Sequence, residues 1–166
     1  MSEQSLFDRL STIDCRDHIE KKGKFSYLSW AWAWAILKHH CPSARFEKHT
    51  FEVMGREVPY MTDENGFAYV QVTVFTNEDT QTEVFPVLNH SNKPIQNPNA
   101  FDVNTALQRC LVKAIAMLGL GLYIYAGEDV PEGAERLSPY TKKEEEEMYK
   151  QHYTDAERSF MEAFEK

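Results

Sequence analysis

Three cysteines, Cys15, Cys41 and Cys110, are all that the 166 residues contain. An odd, widely spaced set builds neither a disulfide scaffold nor a paired Cys-x-x-Cys metal site. No apolar run approaches the ~18 residues that cross a bilayer. The first seven residues lack both the basic start and the apolar core of a signal segment, so export is not expected and the chain reads as cytosolic. A phosphate-cradling G-x-x-x-x-G-K-[ST] loop is missing as well: Gly121 is followed by Leu122 and Tyr123 rather than Lys and Ser or Thr, so nucleotide hydrolysis has no sequence support and no cofactor is called for. There is no internal repeat and no long low-complexity segment.

What is present is enough for a real core: 42% of the residues are hydrophobic and 13% aromatic, and the length fits one compact domain with an extension. The net charge of -8 is unevenly spread. Residues 1–127 hold 12 Lys and Arg against 14 Asp and Glu, a balance of -2, whereas residues 128–166 hold 6 against 12, a balance of -6. The division is therefore into a core, 1–131, and an acidic tail, 132–166, read as partly disordered or helical. Thr154 and Glu157 resemble a capping box ahead of a short helix there.

Along the core the elements alternate between two periods. Residues 5–13 form a short amphipathic helix through Leu6, Leu10 and Ile13. Lys21, Lys22 and Lys24 make a basic turn around Gly23. Ser29 caps a second helix over 30–40, with Trp30, Ala33, Trp34 and Leu37 on its apolar face, and Pro42 stops it. A strand over 44–53 puts Phe46, Phe51 and Val53 at candidate core positions. The chain turns near Gly55, at 63–66 and at 76–79, between strands over 67–75 and 81–88, which gives an antiparallel meander with one face against helices. The Asn- and Pro-rich stretch 89–99 is a mobile connector of the kind that carries binding work. A long helix follows, with Asp102 as its cap or first-turn acid and Gly119 as its end. Leu120 to Tyr125 resume in extended form, and Gly121 marks a close approach to a neighbour.

On the long helix Val103, Ala106, Leu107, Cys110, Leu111, Ala114, Ile115 and Leu118 keep the three-to-four-residue apolar spacing. Thr105, Arg109 and Lys113, four apart, form a separate stripe, and the two cations are expected to face solvent. Cations beside aromatic rings are the ingredients of a single-strand groove, in which Lys or Arg track phosphates and rings stack on bases. Lys21, Lys22 and Lys24, with Tyr27 and Trp30 close behind, supply the same mixture. The plain alternative for Tyr27 and Trp30 is core packing.

Two blocks carry a family resemblance: Tyr27-Leu-Ser-Trp-Ala-Trp-Ala-Trp34 and the run from Asn104-Thr-Ala-Leu-Gln-Arg-Cys to Asp129. They resemble the signature blocks of the Sak-type phage single-strand annealing proteins, which are related to the Rad fifty-two annealing superfamily. The likeness spans about residues 5–131. It implies an α+β fold, a three- to four-stranded antiparallel meander on a long helix with an additional N-terminal helix, oligomerising side by side into a ring or short filament. It also implies single-stranded DNA in a basic groove and annealing in homologous recombination and repair without ATP, in the bacterial host cytoplasm. Arg109 and Lys113 match the helix block, and Lys21, Lys22, Lys24, Tyr27 and Trp30 the turn block; these seven are the candidate DNA-binding residues. No catalytic or metal-binding residue is implied. The tail reads as a docking segment for a host RecA-type recombinase or single-strand-binding protein, or as an acidic strip competing with DNA.

Two other chemistries are open. His39, His40 and Cys41 are adjacent, but neighbours on a helix point apart and cannot all reach one zinc. Asp63, Glu64, Asp79 and Glu83 offer carboxylates for a metal-dependent nuclease or other DNA-processing enzyme, although they fall mainly in turns, where acids usually face water. An interaction module without nucleic acid is the third class.

Overall fold

The computed structural model describes residues 4–22 and 25–125. Lys24 and the acidic tail lie outside them. Among the described residues no helix is long and apolar enough to cross a membrane.

The architecture is α+β, with helices against one face of an antiparallel sheet. Helix α1, Leu6–Ser11, is capped by Ser5, whose Oγ accepts from the Asp8 amide at 3.1 Å. It buries Leu6 and Leu10. A 3-10 turn, Arg16–His18, leads into strand β1, Ile19–Lys22, paired with β2, Phe25–Leu28. Of the basic segment expected to be a turn, Lys21 and Lys22 are strand residues, paired with Ser26 and Phe25, and Gly23 and Lys24 lie outside the described residues. Helix α2, Trp30–His40, follows with Ser29 at its N-cap position. Ala33 and Leu37 are buried as the spacing predicts, and Trp34 meets Phe46 edge-on at 4.8 Å. Trp30 departs from that face and is exposed.

The main sheet is built on β7, Ala68–Phe75. Strand β8, Thr80–Pro86, pairs with it along one edge. The other edge is shared by β3, Arg45–Lys48, opposite the end of β7, and β6, Met61–Thr62, opposite its start. Between them the chain leaves as a separate hairpin of β4, Phe51–Val53, and β5, Arg56–Val58, turning at Met54 and Gly55 with φ of 51° and 74°. The single strand expected over 44–53 is therefore two. His49 ends the first by donating its amide to the Gln71 carbonyl while its ring nitrogen bonds Thr73 Oγ1 at 2.7 Å. Val53, expected in the core, sits on the outlying hairpin and is 42% exposed.

Alternation along β7 puts Ala68, Val70, Val72 and Val74 on the helix side, all buried. Against them lies α3, Ala100–Met117. Its cap is Asn99, whose Oδ1 accepts from the Asp102 amide at 2.9 Å, so Asp102 is the first-turn acid. Every apolar position the spacing selects on this helix is buried, with Val112 and Ala116 in addition. Burying an aliphatic side chain of this size contributes roughly 1.5–3 kcal/mol, which makes α3 the spine of the core. The helix closes at Gly119, whose φ is 116° and where a Cβ would stand 2.6 Å from the Phe7 carbonyl oxygen. Gly121, φ 69°, passes within 3.2 Å of the Leu28 side chain on the same construction, the close approach its place in the sequence implies. Two left-handed glycines in three residues bend the chain too sharply for a strand, and Leu122–Tyr125 is a 3-10 turn rather than the extended segment expected.

Candidate nucleic-acid interface

Helix α3 turns one row of residues outward. Phe101, Thr105, Arg109, Lys113 and Met117 are four apart and lie on one drifting stripe. Phe101 and Met117 are exposed, and the three between them are half-buried. The remainder of this half of the molecule fixes the two cations of that row.

The Arg109 guanidinium lies 4.2 Å from the centroid of the Tyr27 ring on β2, and its Nη1 is 3.5 Å from Asn92 Oδ1. A planar guanidinium stacked on a ring keeps its N–H edges directed sideways, where they meet phosphate in pairs. Lys113 Nζ stands 5.4 Å from the Phe85 ring on β8 and 5.6 Å from the Tyr125 ring after α3. Each such contact contributes about 0.5–1 kcal/mol at partly exposed sites. The two side chains are therefore partly covered by rings rather than freely solvated as expected.

Cys110, next to Arg109 in the chain, is fully buried in the core. Its thiol donates to the Glu83 carbonyl at 3.2 Å, and burial pushes its pKa up to about 12. Cys15 is likewise pushed up to about 11 by burial. Both thiols stay protonated near neutral pH, which removes them as nucleophiles. All three cysteines are free and buried.

Among the described residues, the candidate DNA-binding residues do not form one cluster. Tyr27 and Arg109 touch, and Lys113 lies one helical turn further on. Lys21, exposed on β1, is opposite Ser26. Adjacent residues of a strand point to opposite faces, so Lys21 and Tyr27 occupy different faces of the hairpin. Lys22 ends β1. Trp30, 43% exposed, opens α2. Its neighbour Trp32 stacks on His18 with centroids 4.2 Å apart and planes 13° apart.

Several participants were not visible in the sequence. Phe85 and Tyr125 reach Lys113 only through sheet and turn packing. Asn92 holds φ of 56° in the connector, which is hydrogen-bonded in place: the Asn89 carboxamide accepts from the Ser91 and Lys93 amides. Phe101 alone had a signal, standing four residues before Thr105.

Two of the four acids proposed for a nuclease, Asp63 and Asp79, have local structural partners. Asp63 Oδ1 accepts from the Asn65 and Phe67 amides, and Asp79 from the Thr80 amide and the Gln81 carboxamide. Among the described residues no group of three His, Cys, Asp or Glu is placed to hold a metal ion. The His39 and His40 rings meet edge to face, while the Cys41 thiol turns to Asn77 Oδ1 at 3.0 Å.

The family model described as Sak Single Strand Annealing Protein matches residues 5–157. The match runs past residue 131 into the acidic tail. No curated protein and no solved structure matches the chain. The family match covers most of the sequence, and the chain belongs to the Sak single-strand annealing protein family.

Proposed function

We propose that this member of the Sak family binds single-stranded DNA along the outward row of α3 and promotes annealing of complementary strands in homologous recombination, without ATP. The observation that carries the reading is the pair Arg109 and Lys113, one helical turn apart, each set against aromatic rings. Two complementary strands repel through their phosphates, and each folds on itself. A fixed cationic row lowers the repulsion and keeps the backbone extended, and base pairing then supplies the free energy. No covalent step is required.

Residues 1–127 carry a net charge of -2, so two cations per protomer give little affinity in one copy. Protomers set side by side repeat the row and make a continuous track, with the steep salt dependence of phosphate contacts. Lys21, Lys22 and Lys24 supply further positive charge for the phosphates of the bound strand. The setting is a phage or prophage gene product acting in the cytoplasm of its bacterial host. The tail is the place where a host recombinase or single-strand-binding protein docks.

The test is annealing of complementary oligonucleotides at fixed low salt by wild type and by Arg109→Ala/Lys113→Ala. A loss of annealing of at least about tenfold is expected, the order of two phosphate contacts, with an unchanged circular dichroism spectrum. Annealing at the wild-type rate by a folded double variant contradicts the reading.

A further inference from the structure

We propose that Phe101 is the base-stacking position of the track, where an unpaired nucleobase lies against the phenyl ring; this rests on the single-strand reading of the α3 row. Phe101 is 77% exposed, more than any other aromatic side chain among the described residues. It stands four residues before Thr105 and eight before Arg109, which at the rise of a helix is roughly 12 Å from the guanidinium's origin. That distance spans three to four nucleotides of a stacked strand at about 3.4 Å each. A base on Phe101 and a phosphate on Arg109 therefore belong to one short stretch of the same strand.

The other rings of the row are already occupied. Arg109 covers Tyr27 at 4.2 Å, and Lys113 stands near Phe85 and Tyr125. Phe85 is also buried, at 6% exposure. Tyr27, which the sequence offered as a base-stacking candidate, is instead the platform for a cation. Phe101 has the free face, at the end of a row whose next members are a hydroxyl and two cations, groups that suit a phosphate backbone better than an apolar protein surface. Stacking on a phenyl face accepts any base, so this position adds affinity without sequence preference.

The experiment compares wild type, Phe101→Ala and Phe101→Trp for binding a single-stranded oligonucleotide and the same strand with abasic sites, at low salt, with assembly mass followed by light scattering. Wild type is expected to bind the base-bearing strand about tenfold more tightly, within the range of one base–aromatic stack. Phe101→Ala is expected to bind both strands equally, and Phe101→Trp to recover the preference. The assembly mass stays unchanged throughout.

Three results overturn the proposal: no preference in the wild type, a preference kept by Phe101→Ala, or a fall in assembly mass on removing the ring. The last would mean that Phe101 meets a second copy, for which the apolar groove lined by Pro59, Tyr60, Pro98 and Leu107 is a ready seat. Arg109→Ala/Lys113→Ala in the same assay separates the two readings. If it fails to bind either strand while Phe101→Ala keeps its preference, the track stands without the stack. Wild-type binding by the double variant removes the track itself.

Discussion

The two ends of α3 are built for different tasks. At its N-terminal end Phe101 and Asn104 are exposed and Thr105 is half-buried, with Asn99 as the cap. Toward the C-terminal end Val112, Ala114, Ile115 and Ala116 are all buried, so only Lys113 and Met117 remain of the outward row. The closed end is locked by Gly119 against α1 and by Gly121 against β2. One rigid element is thus anchored at one end while its outward row runs along its length, so Arg109 and Lys113 keep a fixed spacing without a dedicated loop. Substitutions of the buried residues that anchor the closed end should cost stability, and those along the outward row should cost binding.

The strongest way to break that contrast is Gly119→Ala. The left-handed φ and a Cβ 2.6 Å from the Phe7 carbonyl oxygen force backbone to move, at a cost of about 3 kcal/mol in urea denaturation. Gly55→Ala, also left-handed but with nothing within 4 Å of its Cβ, should cost only about 1 kcal/mol. Equal losses at the two sites would mean that the α1 contact is not tight.

At the open end, Asn99→Ala removes the side-chain bond to the Asp102 amide and should lower stability by about 1 kcal/mol, with single-strand affinity per folded molecule unchanged. Smaller still is the exchange at the cation platform. Tyr27→Leu should weaken binding severalfold, the order of a 0.5–1 kcal/mol cation–π contact, while Tyr27→Phe keeps the ring and the affinity. Equal weakening by both would assign the effect to the tyrosine hydroxyl instead.

The smallest effect concerns α1. Glu78 accepts from Arg9 Nη2 at 2.6 Å and from the Leu6 amide at 2.8 Å, and the Arg9 hydrogen bond, followed by that amide, lowers its pKa below the usual 4.5. A carboxyl with a lowered folded pKa contributes stability that is present above its unfolded value and is lost as pH falls through the folded one. Glu78→Gln should therefore flatten the acid side of the stability profile below about pH 4.5, and an unaltered profile would show the contact to be idle.

Much of this was legible in the residues, for identifiable reasons. The 3.6-residue spacing from Val103 to Leu118 is long enough to define α3 and its buried face, and the turn residues at 63–66 and 76–79 bound β7. The β1–β2 hairpin was hidden because four-residue strands carrying Lys21 and Lys22 have no apolar alternation to reveal them. Leu122 to Tyr125 read as extended because Ile124 and the tyrosines favour strands, whereas backbone reversal at Gly119 and Gly121 decides the outcome. Arg109 and Lys113 could be picked out by spacing and Tyr27 as an aromatic beside cations, but not which ring holds which cation. Tyr27, Phe85 and Tyr125 come from three different elements and converge only through tertiary packing.

The most direct test of the α3 track is the salt dependence of single-strand affinity. Each phosphate contact contributes about -0.7 to the slope of log K against log salt, so Arg109→Ala/Lys113→Ala should flatten the slope by roughly 1.4 for each protomer engaged. A double variant that remains folded and keeps both the affinity and the slope of the wild type would contradict the account.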